Sequence, residues 1–256
     1  MPSSAHPVLS AAPRLDGPLP DPAAGVFSTT LVADGRAAET DAHLARLERS
    51  LGELYGLPVP AGTRELIADG AAGLRLGRLR VTVLPGEQPT VRTAEVDEST
   101  VFPSAPTDLA PVTVAGWTGA HKWADRRLLD RAQEQVGSAL PLLLDPDGTV
   151  LEASRSNVFA VLGGALVTPP LDGRALPGVA RARVIELARA AGISVAERVL
   201  TLDELAAADE VFLTGGVRGV EPVGSCEGVG EWDSGGISAQ VAAELQRAWL
   251  GADHSS

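Results

Sequence analysis

Two consecutive hairpin signatures, "ALPLLLDPDGTVLEAS" (139–154) and "NVFAVLGGALVTPP" (157–170), constrain the fold of this chain more than any other feature. The first is an apolar run that enters a Pro146-Asp147-Gly148 turn and returns; the second folds back around Gly163-Gly164. Gly-rich and Asp-Gly turns supply the positive φ angles that tight hairpins require. Adjacent hairpins make antiparallel sheet, so strands and helices do not strictly alternate along this chain.

The remaining elements read as a mixture. "GVFSTTLVADG" (25–35) alternates apolar and small polar residues and ends in Asp34-Gly35, a strand entering a tight turn. Leu44, Leu47, Leu51 and Leu54 recur at helical spacing, with Thr40 or Asp41 as cap and Gly56 as stop. A shorter helix is expected over Thr63 to Ala71, then a strand whose Leu79, Val81 and Val83 share one face. "PVTVAGW" (111–117) is a further strand, and 125–137 a helix. Another helix opens at Pro177-Gly178 and closes at Gly192, followed by a strand over 193–200. "TLDE" (201–204) is a capping box, "EVFLTG" (210–215) a buried strand and 237–249 a final amphipathic helix. The predicted fold class is α+β in two domains: an irregular arm over 1–20, a smaller domain over 21–116 and a larger one over 117–252.

Composition removes several function classes. The formal charge of −12 opposes nonspecific nucleic-acid binding, which needs clustered Lys and Arg against phosphates. No run approaches the roughly 18 apolar residues of a membrane span, and no basic-then-apolar leader is visible, so a cytoplasmic protein is expected. One cysteine, Cys226, allows neither an internal disulfide nor a thiolate metal cluster, and the four histidines lack metal-ligand spacing. No metal site is expected.

Against twenty arginines stands a single lysine, Lys122, just before the 125–137 helix. Guanidinium stays protonated, whereas a desolvated ammonium can lose its proton and act as a nucleophile toward a carbonyl. A lone lysine is thus either a stray surface charge or a retained amine. Three other features carry a similar choice. Glu152 lies on an otherwise apolar strand, as solvent-facing alternation or as a buried carboxylate able to hold a proton on a heterocyclic nitrogen. The backbone N–H groups of Gly178, Val179 and Ala180 open a helix and form either an ordinary start or an anion site. Arg46, between Leu44 and Leu47, is a solvated helix charge or a phosphate ligand. Together, an amine, a carboxylate and a helix terminus with arginine match what pyridoxal 5'-phosphate requires.

The order of "GVFSTTLVADG", "AHLARLERS", "HKWADR", Glu152 to Asn157, "TPPLDGRALPGVARA" and "DEVFLTGGVRGVEPV" resembles the class IV, branched-chain-type (fold type IV) pyridoxal-phosphate enzymes. These include branched-chain and D-amino-acid aminotransferases and 4-amino-4-deoxychorismate lyase. The resemblance implies a homodimer with the cofactor between two domains. It implies Lys122 as covalent anchor and base, Glu152 at the pyridine nitrogen, Arg46 with Gly178, Val179 and Ala180 at the phosphate, and Asn157 and Gly216 beside the cofactor. Thr29, Arg80 and Arg218 are then contacts of a small anionic amino substrate.

The hydroxyl-bearing Phe27-Ser28-Thr29-Thr30 run and the R-G-x-x-P-V loop look closest to the lyase, which releases pyruvate and 4-aminobenzoate. Arg127 stands where the aminotransferases keep a tyrosine, and Ala180 and Gly216 where they keep threonines. An aminotransferase is the runner-up, and a non-catalytic binding or dimerisation module the remote alternative.

Overall fold

The computed structural model describes residue 8, residues 11–17 and residues 19–251, so the outermost part of the expected arm lies outside the described residues. Within the arm, β1 (Arg14–Leu15) pairs parallel with Thr113 and Val114, which makes these two residues a sheet edge instead of irregular chain.

The first layer is a four-stranded antiparallel sheet. Strand β2 (Val26–Ala33) turns at Asp34 and Gly35, whose φ angles of 47° and 74° suit a tight hairpin, into β3 (Arg36–Ala37). Helix α1 (Thr40–Tyr55) ends at Gly56 in the left-handed conformation. Its cap position is Glu39, not the expected Thr40 or Asp41, and no side chain caps it; the Thr40 hydroxyl instead donates to the Ala37 carbonyl. Helix α2 (Thr63–Ala71), β4 (Leu76–Val83) and β5 (Thr90–Glu95) complete the layer, in the order β3-β2-β4-β5. Leu47 and Leu51 from α1, Ile67 and Ala71 from α2 and Leu79, Val81 and Val83 from β4 share one core with Trp123. Trp123 follows Lys122 directly, so packing of this layer fixes the lysine segment.

Strand β6 (Thr107–Val114) lies N-terminal to the division expected at residue 116, yet it runs inside the larger sheet, between β13 and β7. After α3 (Arg127–Val136) come the two expected hairpins: β7 (Leu140–Leu144) with β8 (Val150–Ala153), and β9 (Asn157–Leu162) with β10 (Ala165–Thr168). Helix α4 (Val179–Ala190), β11 (Val195–Glu197), α5 (Leu202–Ala206), β12 (Glu210–Gly215), β13 (Gly219–Cys226), β14 (Gly230–Glu231) and α6 (Gly236–Leu250) finish the chain. The expected capping box forms at α5, where Thr201 accepts from the Glu204 amide and Glu204 accepts from the Thr201 amide.

The main path of this sheet is β11-β10-β9-β12-β13-β6-β7-β8. One face packs Phe159, Phe212 and Val220 against α4 and α6; the other packs Leu142, Val158 and Leu213 into a second core. Strands buried on both faces read as near-continuous apolar runs, which is what β7, β9 and β12 show.

Candidate active site

Lys122 lies in the connection from β6 to α3, and backbone bonds stitch that connection to the start of β2. Phe27 N donates to Lys122 O at 2.9 Å, Ala124 N to Gly25 O at 3.0 Å, and Val26 bridges Trp123. The Trp123 indole N–H closes the loop on Thr118 O at 3.0 Å. The backbone of Lys122 is thereby fixed, and the residue is only partly exposed. Its ammonium is desolvated and stands near Arg46, Arg126 and Arg80, which together bring its pKa down to about 7 against the smaller opposing pull of Glu152.

Glu152 is not solvent-facing alternation: it is 6% exposed. Both oxygens are fixed, Oε1 by the Trp117 indole N–H at 3.0 Å and Oε2 by the Leu176 amide at 3.0 Å. Burial raises its pKa to about 7, although these two bonds, Lys122 and Arg126 all pull it lower. Such a carboxyl is poised to share a proton with a ring nitrogen brought into the cleft.

Arg46 is likewise buried. Its Nη2 donates to Ser28 Oγ at 2.7 Å, and Ser28 Oγ lies 2.7 Å from His43 Nδ1. Burial, then the charges of Arg46 and Lys122, keep His43 neutral by lowering its pKa well below the usual range. Desolvation with Arg49 nearby lowers Arg46 to about 10, and its buried Nε has no partner. Opposite stands the start of α4. Gly178 is the extended cap residue and no side chain caps the helix, so the first-turn amides remain available to an anion. A Cβ at Gly178 would sit 2.0 Å from Asn157 Oδ1, while Asn157 Nδ2 holds Leu176 O at 2.8 Å. Asn157 thereby aligns the segment that carries both the Leu176 amide and the helix start.

Thr29, Arg46, Lys122, Glu152, Asn157, Gly178, Val179, Ala180 and Gly216 all line one cleft. Thr29, Arg80, Lys122, Gly216 and Arg218 line a second, adjoining cleft. Every site residue expected from the sequence therefore reaches one cleft or the other, with Lys122, Thr29 and Gly216 on both. The first matches pyridoxal phosphate in its donors: an amine, a carboxyl, a buried arginine with an orphaned N–H, and an uncapped helix start. The missing hydroxyls have a physical counterpart. A Cβ at Gly216 would meet Thr29 O at 2.5 Å, which excludes a threonine, while Thr214 lines the same cleft with a buried, unpartnered hydroxyl.

From the sequence alone Ser28 stood out only as part of the hydroxyl-bearing run, and His43, Trp117, Arg126 and Thr214 had no site role. His43 carried a usable signal, three residues before Arg46 on the same helix face. Trp117 and Thr214 carried none. Arg126 lines both clefts and donates to Ser154 O at 2.8 Å. Its neighbour Arg127, at the aminotransferase tyrosine position, is 69% exposed and paired with Asp125 at 2.7 Å. Tyr55, the chain's one tyrosine, donates to Pro22 O and lines neither cleft.

A branched-chain-amino-acid aminotransferase of Salmonella typhimurium is 40% identical over 112 residues, 43% of this chain and 35% of that protein. The chain thus matches about a third of that relative's length. Among solved structures, a 4-amino-4-deoxychorismate lyase from Pseudomonas aeruginosa aligns with a TM-score of 0.71 and 28% identity, covering 87% of this chain and 90% of that one. A putative branched-chain amino acid aminotransferase from Thermotoga maritima aligns with a TM-score of 0.76 and 26% identity, covering 88% and 86%. The model of the amino-transferase class IV family matches residues 25–226, and this chain belongs to that family, whose enzymes depend on pyridoxal phosphate.

Proposed function

We propose that the chain is a pyridoxal-phosphate-dependent 4-amino-4-deoxychorismate lyase, a cytoplasmic homodimer that releases pyruvate and 4-aminobenzoate. The observation that carries this reading is the second cleft: Arg78, Arg80, Arg126, Arg155 and Arg218 line it, with no acidic residue among them. A substrate with two carboxylates suits that wall, whereas an aliphatic amino-acid side chain would need apolar contacts that only Phe27, Val96 and Val217 provide.

In the first cleft Arg46 and the α4 amides would hold the phosphate, Glu152 would pair with the ring nitrogen and Lys122 would be the covalent anchor. Bound there, pyridoxal phosphate supplies an aldehyde and an electron-withdrawing pyridinium ring. Lys122, with a pKa of about 7, is half deprotonated near neutral pH and takes the proton from the amine-bearing carbon of the substrate. The buried carboxyl of Glu152 would hold a proton on the ring nitrogen and so sustain that electron withdrawal. Arg80 and Arg218 orient the substrate carboxylates.

Amino transfer is the second reading, favoured by the 40% identity to a branched-chain-amino-acid aminotransferase. The two share the proton abstraction and differ in where the proton and the amino group finish. Supplying aminodeoxychorismate and assaying pyruvate with 4-aminobenzoate, then supplying amino acids with 2-oxoglutarate and assaying glutamate, separates them. Glutamate without 4-aminobenzoate would remove the lyase reading. No helix among the described residues is long and apolar enough to cross a membrane, in keeping with the proposed location.

A further inference from the structure

One acidic side chain stands directly behind the arginine-lined cleft. Glu221 on β13 is 2% exposed, and its Oε1 is 2.8 Å from Arg218 Nη2 and 3.3 Å from Arg155 Nη2. Its Oε2 is buried with no partner, so the whole interaction of this carboxylate with its surroundings runs through those two arginines. Both arginines line the second cleft and Glu221 does not. Arg155 donates one Nη2 hydrogen to Glu221 and Arg218 is ion-paired with it; both keep other N–H groups, the unpartnered Nε of Arg218 among them.

The backbone is built to bring this about. Gly219, with φ of 66°, turns the chain so tightly against Phe102 that a Cβ would lie 2.3 Å from its ring, and Phe102 N donates to Arg218 O at 3.0 Å. Arg218 is thus fixed at both its backbone and its guanidinium. A buried carboxylate shared by two cations cancels one of their charges in a medium where charges act strongly. No acidic side chain lines the cleft beside Arg78 and Arg80, whereas Arg126 feels the charges of Asp130 and Glu152.

We propose that Glu221 is the positioning residue that sets the charge selectivity of the substrate cleft, by neutralising one of the two positive charges at the Arg155–Arg218 end. The cleft wall then combines the charges of Arg78 and Arg80 with a half-neutralised Arg155–Arg218 pair. It accepts a substrate with two carboxylates while limiting the advantage of more highly charged anions. This inference rests on the reading of the second cleft as the substrate site.

The test uses the pyridoxal-phosphate-loaded protein and two probes of equal length, glutarate and pentanoate, with dissociation constants read from the perturbed absorbance of the bound cofactor. The wild type is expected to bind glutarate more tightly than pentanoate. Glu221→Gln restores a full charge to the cleft and should increase that preference about fivefold; Arg155→Gln removes one and should decrease it about threefold. A role confined to structure would weaken both probes alike and leave the ratio unmoved. An unchanged ratio in folded Glu221→Gln, or a shift of the same sign in both variants, overturns the proposal. If Glu221→Gln does not fold, the half-exposed Arg155 position decides alone, and an unaltered ratio there is equally fatal. A wild type that binds neither probe overturns the cleft reading itself, and the proposal with it.

Discussion

The Trp117 indole N–H donates to Glu152 Oε1 at 3.0 Å, deep enough that both side chains are less than a tenth exposed. The bond favours the ionised carboxylate and opposes the burial that drives its pKa up to about 7. Trp117→Phe keeps the packing and removes the donor, so Glu152 should hold its own proton to higher pH and pair less well with a protonated ring. A hydrogen bond to a charged group is worth about 1.5–3 kcal/mol. The dissociation constant for pyridoxal phosphate at pH 8, from absorbance titration, is therefore expected to rise about tenfold, and an unchanged value would show that the bond does not tune the carboxyl.

Lys122 and Glu152 give the cofactor-free protein opposite pH dependences. The Lys122 pKa is depressed to about 7 from 10.5, so its stabilising contribution is present above 10.5 and is lost as the pH falls through 7. The Glu152 pKa is raised to about 7 from 4.5, so its contribution is present below 4.5 and is lost as the pH rises through 7. Thermal unfolding across pH 4–11 should show Lys122→Met gaining on the wild type below pH 7, with that gain vanishing toward 10.5. Glu152→Gln should gain on the wild type between pH 4.5 and 7 and hold the gain above.

Neighbouring arginines should behave differently. Arg127 is exposed, is bound to Asp125 and lines neither cleft. Arg127→Ala should leave turnover within about twofold of the wild type. Arg126 lines both clefts and lowers the Lys122 pKa, so Arg126→Ala should move the acidic limb of the turnover-pH profile upward. Equal profiles for the two variants would contradict this assignment.

Much of this was readable in advance because local chemistry agreed with the fold. Asp34-Gly35 and Gly163-Gly164 do adopt positive φ at hairpin turns, and the Leu44-to-Leu54 spacing does lie on a helix. Strand β13 escaped because Pro222 and Gly224 interrupt its pattern and its register shifts between Val223 and Ser225. Strand β5 escaped because its residues are exposed or only half-buried and show no apolar face. In the site, Lys122 and Glu152 were visible because each breaks a local expectation of composition or pattern. The partners that tune them were not: Trp117 reaches Glu152 across 35 positions and Ser28 reaches Arg46 across 18, and only the folded sheets supply those distances.

The proposed covalent anchor, the desolvated amine of Lys122, is the chain's single lysine, which makes anchoring directly measurable. Borohydride reduction in the presence of pyridoxal phosphate, followed by peptide mass analysis over a range of pH, is the most direct test. One adduct is expected, on the peptide containing Lys122, with a yield that rises through about pH 7 as the amine sheds its proton. No adduct, an adduct only at the terminal α-amine, or a yield that rises only near pH 10.5 would contradict the claim.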